Sequence, residues 1–133
     1  MHRLSAVGRV VHFEIHAENP ERAAAFYEGL FGWTVTKWDG PVDYWLVSTG
    51  PDSEPGINGA IVRQMDSAGE GQGPHAFVCT VEVEDIAATE KAVTDAGGEQ
   101  VVARQDIPGV GKISYFRDCE GNVFGALEPA AES

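Results

Sequence analysis

Three residues of this chain are best suited to chemistry: His12, Glu14 and His16, in the stretch VVHFEIHA. In a β-strand every second side chain shares a face, so this spacing puts two imidazoles and a carboxylate on one side and Val11, Phe13 and Ile15 on the other. Imidazole titrates near neutrality, and a neighbouring carboxylate can orient or charge it, so the set can take up and return a proton. Glu14 is the most informative member, because a mid-strand carboxylate on an inward face is costly unless paired or functional. The bland alternatives are a hydrogen-bonded core histidine for His12, a structural ion pair for Glu14 and a solvated strand end for His16.

Other reactive groups are sparse. Cys79 lies in an apolar run and reads as a small buried hydrophobe. Cys119 lies in the turn DCEG, where a catalytic thiol would need a base or cation and Arg117 is the local candidate. Two cysteines make no disulfide framework, and there is no CxxC. GxGxxG, Walker, GxSxG and HExxH motifs are missing, so nucleotide-binding and serine-hydrolase readings have no support.

The elements that must position these groups follow from patterning. Val10 to Ala17 is a strand. Asn19 is a suitable helix N-cap, Pro20 suits the first helical position, and Gly32 suits a left-handed C-cap. Between them Ala23, Phe26, Tyr27, Leu30 and Phe31 have the spacing of a buried stripe. Strands are expected at 34–39, 42–49 and 57–63, with a turn at Asp39-Gly40-Pro41. Asn58-Gly59 marks a bend or a close backbone approach. The polar, glycine-rich run QMDSAGEGQGP reads as a linker. The order then repeats: a strand at 75–83, an Asp85-capped helix at 86–96 ended by Gly97-Gly98, and strands at 100–105, 112–117 and 123–128, with a DIPGVG loop at 106–111 that serves as a lid or a plain turn.

The two halves match at a spacing of 66 positions: Ala17-Glu18-Asn19 against Val83-Glu84-Asp85, Gly32 against Gly98, and Gly59-Ala60-Ile61 against Gly125-Ala126-Leu127. The expected organisation is two βαβββ modules, 8–64 and 75–130, joined by a linker at 65–74 and forming one structural domain. A length of 133 residues suits this, and the class is α+β. A net charge of −12 argues against nucleic acid and anionic membrane surfaces as partners. No apolar run approaches the ~20 residues of a membrane span, and no signal-peptide pattern opens the chain. A cytoplasmic protein is expected.

The H-x(13)-F-Y spacing with a GW-type helix end, the AGG helix end and the RDCEGNVFGALEP segment together resemble the vicinal oxygen chelate superfamily. That group includes glyoxalase I, extradiol dioxygenases, fosfomycin-resistance enzymes and bleomycin-binding proteins. The likeness runs from Val10 to Pro129 and is nearest to a glyoxalase-like branch with an HFEI-type first strand and an IPGVG loop. It implies a glyoxalase-like fold, paired βαβββ modules in a U-shaped mixed sheet around a pocket, often completed in a homodimer.

It also implies where a metal would bind. Metal-binding members carry a histidine on the first strand of each module and a carboxylate on the last. His12 matches the first position. The second-module equivalent is Val78, and the carboxylate positions fall at Gly59 and Gly125, so three of four ligands are lost. Glu128 and His75 stand three residues away from the required positions, on the wrong strand face. The expected cofactor is therefore none, with a divalent metal on His12 as the alternative. Substitute ligands His12, His16 and Glu82 are awkward, since i and i+4 on a strand lie ~13 Å apart.

The resemblance assigns the His12 face to the pocket. Catalytic candidates are Glu14, His12 and His16. Candidate substrate-binding residues are Val78, Thr80 and Glu82 opposite them in the second module, the wall residues Tyr44, Trp45, Tyr115 and Phe116, and Gly125. Alternation allows only one of each adjacent aromatic pair to face inward. The expected function is a small-molecule pocket protein without the usual metal: an acid–base isomerase or lyase related to lactoylglutathione lyase, or a ligand-sequestering protein. The alternatives are a metal-dependent lyase or dioxygenase with substitute ligands, and an interaction domain with a collapsed pocket.

Overall fold

The computed structural model describes residues 7–64 and 76–130. The chain runs β1 (Val10–Ala17), α1 (Pro20–Phe31), β2 (Thr34–Lys37), β3 (Tyr44–Ser48), β4 (Gly59–Arg63), β5 (Ala76–Glu82), α2 (Ile86–Asp95), β6 (Glu99–Ile107), β7 (Gly111–Arg117) and β8 (Val123–Pro129). This is an α+β chain with a βαβββ order occurring twice. The expected linker and His75 lie outside the described residues. No helix among the described residues is long and apolar enough to cross a membrane.

The chain forms two compact units, His12–Cys79 and Thr80–Ser133 with Met1–Val11. In the first, β3 pairs antiparallel with β2 and β4, and β4 pairs parallel with β1. The core lies on the α1 side of these strands and contains Phe13, Ile15, Ala24, Trp45, Val47 and Ile61. The α1 caps form as the sequence requires. The Asn19 side chain accepts from the Arg22 N–H at 3.1 Å, and Gly32, at φ 75°, donates to the Glu28 carbonyl.

The apolar stripe of α1 departs from expectation. Phe26, Leu30 and Phe31 are 60, 58 and 59 % exposed. The inward line is Pro20–Ala24–Tyr27, and at ~100° per residue Leu30 falls about a quarter turn and Phe26 about a third of a turn off it. Phe31 is in line but sits in the last turn, stacked on Tyr27.

In the second unit, β7 pairs antiparallel with β6 and β8, and β5 pairs parallel with β8. Ile86, Phe116 and Ala126 form its core, with Val83, Val93 and Phe124 against them. Asp85 caps α2 by accepting from Ala88 N–H. Glu128, which strand alternation takes off the pocket face, accepts from the Ile86 N–H at 3.0 Å and so serves the helix N-terminus.

The DIPGVG segment is a hairpin turn, not a lid. Strand pairing continues to Ile107–Gly111, Val110 N–H donates to Ile107, and the Val110 carbonyl accepts from Ala130. Cys79 is exposed, because Val78 and Thr80 take the buried side of β5. Arg117 pairs with Glu99 at 3.3 Å, and Cys119 is exposed in a turn closed by Asp118.

Candidate proton-transfer site

Register decides which side chains stand together. Glu14 pairs with Ala60 and Ala60 with Leu46; His16 pairs with Val62 and Val62 with Tyr44. Directly paired residues project to the same side of a sheet. The face of the first unit turned away from α1 therefore carries His12, Glu14 and His16 from β1, Ala60 and Val62 from β4, and Tyr44 and Leu46 from β3. The other face carries Phe13, Ile15, Ile61, Trp45 and Val47, which are its core.

Glu14 and His16 are 2 and 6 % exposed, and His16 Nε2 lies 3.3 Å from Glu14 Oε1. His12 and Tyr44 are half-buried. Burial holds the His12 imidazole below its usual range, partly offset by the Glu14 charge. Burial pushes the Tyr44 phenol up, and the Glu14 charge pushes it further. Near neutral pH the face thus presents a neutral His12 imidazole and a protonated Tyr44 phenol beside Glu14 and His16. It can remove a proton from a bound molecule and offer hydrogen bonds to the charge that develops.

Two of the candidate wall residues are elsewhere. Trp45 is in the first unit's core and Phe116, fully buried, in the second's, each on the helix-side face. The alternation that places Tyr44 toward Glu14 turns Trp45 away, and Tyr115 and Phe116 divide in the same manner. In the second unit Thr80, Gly125 and Tyr115 are in register, with Thr80 and Tyr115 buried. A Cβ on Gly125 would stand 3.4 Å from Thr80 Oγ1 and from the Tyr115 ring, so those side chains already occupy the space that its hydrogen leaves. Val78 is buried on β5, and Glu82 is half-buried with its backbone bonded to Gly8 and Arg9.

Sequence reasoning missed Trp38 and Leu46. Trp38 N–H donates to the Tyr44 carbonyl at 2.8 Å, and the two rings lie 5.6 Å apart, tilted by 35°. Folding the chain symmetrically about Asp39-Gly40-Pro41 pairs 38 with 42; the observed register is centred on Pro41, one residue later, and that shift brings 38 opposite 44. Leu46, 43 % exposed, follows from Tyr44 by alternation.

The donor set does not fit the metal that this fold can hold. Gly59 pairs with Phe13 and faces the helix side, so the β4 residues on the His12 face are Ala60 and Val62, not Gly59. Ala60, Val78 and Gly125 offer no ligand atom. Among the described residues no three His, Cys, Asp or Glu side chains come together as a metal would require.

The Glyoxalase/Bleomycin resistance protein/Dioxygenase superfamily model matches residues 9–125. The chain belongs to that superfamily. "Putative glyoxylase CFP32" of Mycobacterium bovis is 28 % identical over 131 residues, covering 97 % of this chain and 47 % of that protein. The anthracycline biosynthesis protein DnrV of Streptomyces peucetius is 30 % identical over 129 residues, covering 90 % and 46 %. The chain thus spans about half the length of the curated relatives it matches. Among solved structures, methylmalonyl-CoA epimerase from Mycobacterium tuberculosis superposes with a TM-score of 0.64 at 17 % identity, over 98 % of this chain and 94 % of that one. This superfamily member shares the fold of that epimerase.

Proposed function

We propose that this chain binds a small organic molecule on the His12–Glu14–His16 face and moves a proton on it without a metal, as an isomerase or lyase. The observation that carries the reading is the buried Glu14 carboxylate 3.3 Å from His16 Nε2, on a face that also bears His12 and Tyr44. Glu14 takes a proton from a carbon next to a carbonyl. The Tyr44 hydroxyl and the neutral His12 imidazole donate to the enolate oxygen, and the proton held on Glu14 returns to carbon. Each proton transferred to the protein is given back, so no oxidant or reductant is needed. The CoA thioester that a solved epimerase holds is not carried over, since that likeness is one of fold.

The test is solvent deuterium exchange into the carbon acids of a panel of small ketones, followed by proton NMR. Wild type should exceed Glu14→Gln by about 100-fold or more. If no ketone in the panel exchanges faster with wild type than with Glu14→Gln, the proton-transfer role is wrong. Ligand binding without exchange would leave a sequestering protein.

We further propose a homodimer in the cytoplasm. Phe26, Leu30 and Phe31 expose a large apolar surface on α1, and the unbridged, exposed Cys79 and Cys119 suit a reducing compartment. Sedimentation equilibrium tests the dimer: a monomer at all concentrations would refute it.

A further inference from the structure

Tyr44 must reach across a strand to meet the groups on β1. It begins β3 and stands in one row with Val62 of β4 and His16 of β1. Adjacent strands lie ~4.8 Å apart, so the Cα atoms at the two ends of that row are separated by ~10 Å. The Glu14 charge nevertheless acts on the Tyr44 phenol. The ring therefore leans over Val62 toward β1, and a side chain behind it must keep it from swinging back over β2.

That place is taken by Trp38. The Trp38 N–H to Tyr44 carbonyl bond, 2.8 Å long, extends the β2–β3 register one pair beyond Lys37–Trp45, so the two rings are cross-strand neighbours on one face. Their centroids lie 5.6 Å apart with the planes tilted by 35°, and both residues are half-buried. Trp38 is seated in turn by the connection that follows it. A Cβ on Gly40 would run into the six-membered ring of the indole, so that ring lies against the bare Cα of Gly40. The charged side chains around the hairpin are on the other face. Lys37 Nζ and the Arg63 guanidinium lie 5.5 and 5.6 Å from the Trp45 ring, and both pair with Asp43, at 3.4 and 3.8 Å.

We propose that Trp38 is a positioning residue that holds the Tyr44 hydroxyl toward Glu14, and that Gly40 is the position that seats it. This role rests on the acid–base reading of the face and adds the side chain that aims its phenol. Without the indole, the Tyr44 ring turns out to solvent and its hydroxyl no longer meets the oxygen on which charge develops.

Two measurements on the full chain test this. The first is independent of any substrate: the Tyr44 Cζ resonance is followed by NMR in carbon-labelled protein and assigned with Tyr44→Phe. Glu14→Gln should shift it in otherwise wild-type protein and leave it in place when Trp38→Ala is also present. The second is deuterium exchange into the ketone of the panel that wild type turns over fastest. Trp38→Ala should slow it about tenfold, the loss of roughly one hydrogen bond, and Trp38→Phe should restore most of the rate. In the Tyr44→Phe background Trp38→Ala should change the rate by less than about twofold, since the residue acts through Tyr44. Gly40→Ala should act in the same direction as Trp38→Ala, because the added methyl displaces the ring. Circular dichroism confirms that each variant is folded.

A Tyr44 resonance that still answers Glu14→Gln without the indole would overturn the proposal. So would a tenfold loss from Trp38→Ala that persists in the Tyr44→Phe background. The two readings fail separately. If no ketone exchanges, the acid–base role is wrong and the resonance alone decides the positioning. If exchange needs Glu14 while Trp38→Ala moves neither rate nor resonance, the positioning is wrong and the acid–base role stands.

Discussion

Gly59→Ala and Gly125→Ala are expected to behave as opposites, although the sequence repeat pairs them. Gly59 is buried in the parallel β1–β4 ladder opposite Phe13, and an added Cβ would run into the Phe13 carbonyl and ring. Neither neighbour can give. The carbonyl belongs to a strand held in the ladder, and the ring is packed among Ile15, Trp45 and Ile61. Overpacking costs about 1–3 kcal/mol, and a clash with backbone belongs in the upper half, about 2–3 kcal/mol. For a chain of this size that lowers Tm by roughly 6–15 °C.

At Gly125 the nearest atoms are side chains, Thr80 Oγ1 and the Tyr115 ring, at 3.4 Å. They can shift by a few tenths of an ångström, and alanine restricts the unfolded chain. The net change there should stay within about 1 kcal/mol. Urea and thermal denaturation of both variants beside wild type measure this. A Gly59→Ala change under about 0.5 kcal/mol, or a larger loss from Gly125→Ala than from Gly59→Ala, would refute the register argument and with it the assignment of Ala60 to the site face.

Two further expectations concern the site. Burial depresses the His12 imidazole below the ~6.5 of an unfolded histidine, so the stability tied to neutral His12 is complete above about pH 6.5 and is lost as pH falls through the lower folded value. Glu14→Gln removes the charge that raises it, so an NMR titration should find His12 lowered further; an unchanged or raised value would mean that the two do not share a face. Tyr44 and Trp45 should separate cleanly: Tyr44→Phe should cost less than about 1 kcal/mol in a urea melt while slowing ketone exchange, whereas Trp45→Ala should cost about 3–5 kcal/mol. Comparable stability losses from the two would contradict their placement on opposite faces.

Much of the fold was legible because its signals are local. Asn19, Pro20 and Gly32 mark α1 by their own hydrogen bonding and backbone preferences, Asp85 marks α2, and the alternation in VVHFEIHA separates Glu14 from Phe13 whatever the strand packs against. What misled was extrapolation from spacing. Matching Gly59 to Gly125 placed both on one kind of face, but Gly59 opposes Phe13 while Gly125 opposes Thr80. The stripe through Phe26 and Leu30 had helical spacing, yet the helix settled on Ala24 and Tyr27.

The sequence by itself determined the element order, the helix caps, the α+β class and the shared face of His12, Glu14 and His16, since each depends on neighbours within a few residues. Only the tertiary structure decided that Tyr44 and Trp38 join that face, that Trp45 and Phe116 leave it, and that Lys37 and Arg63 point away from it. Strand register between distant segments governs those choices, and a shift of one residue reverses every side chain on the strand.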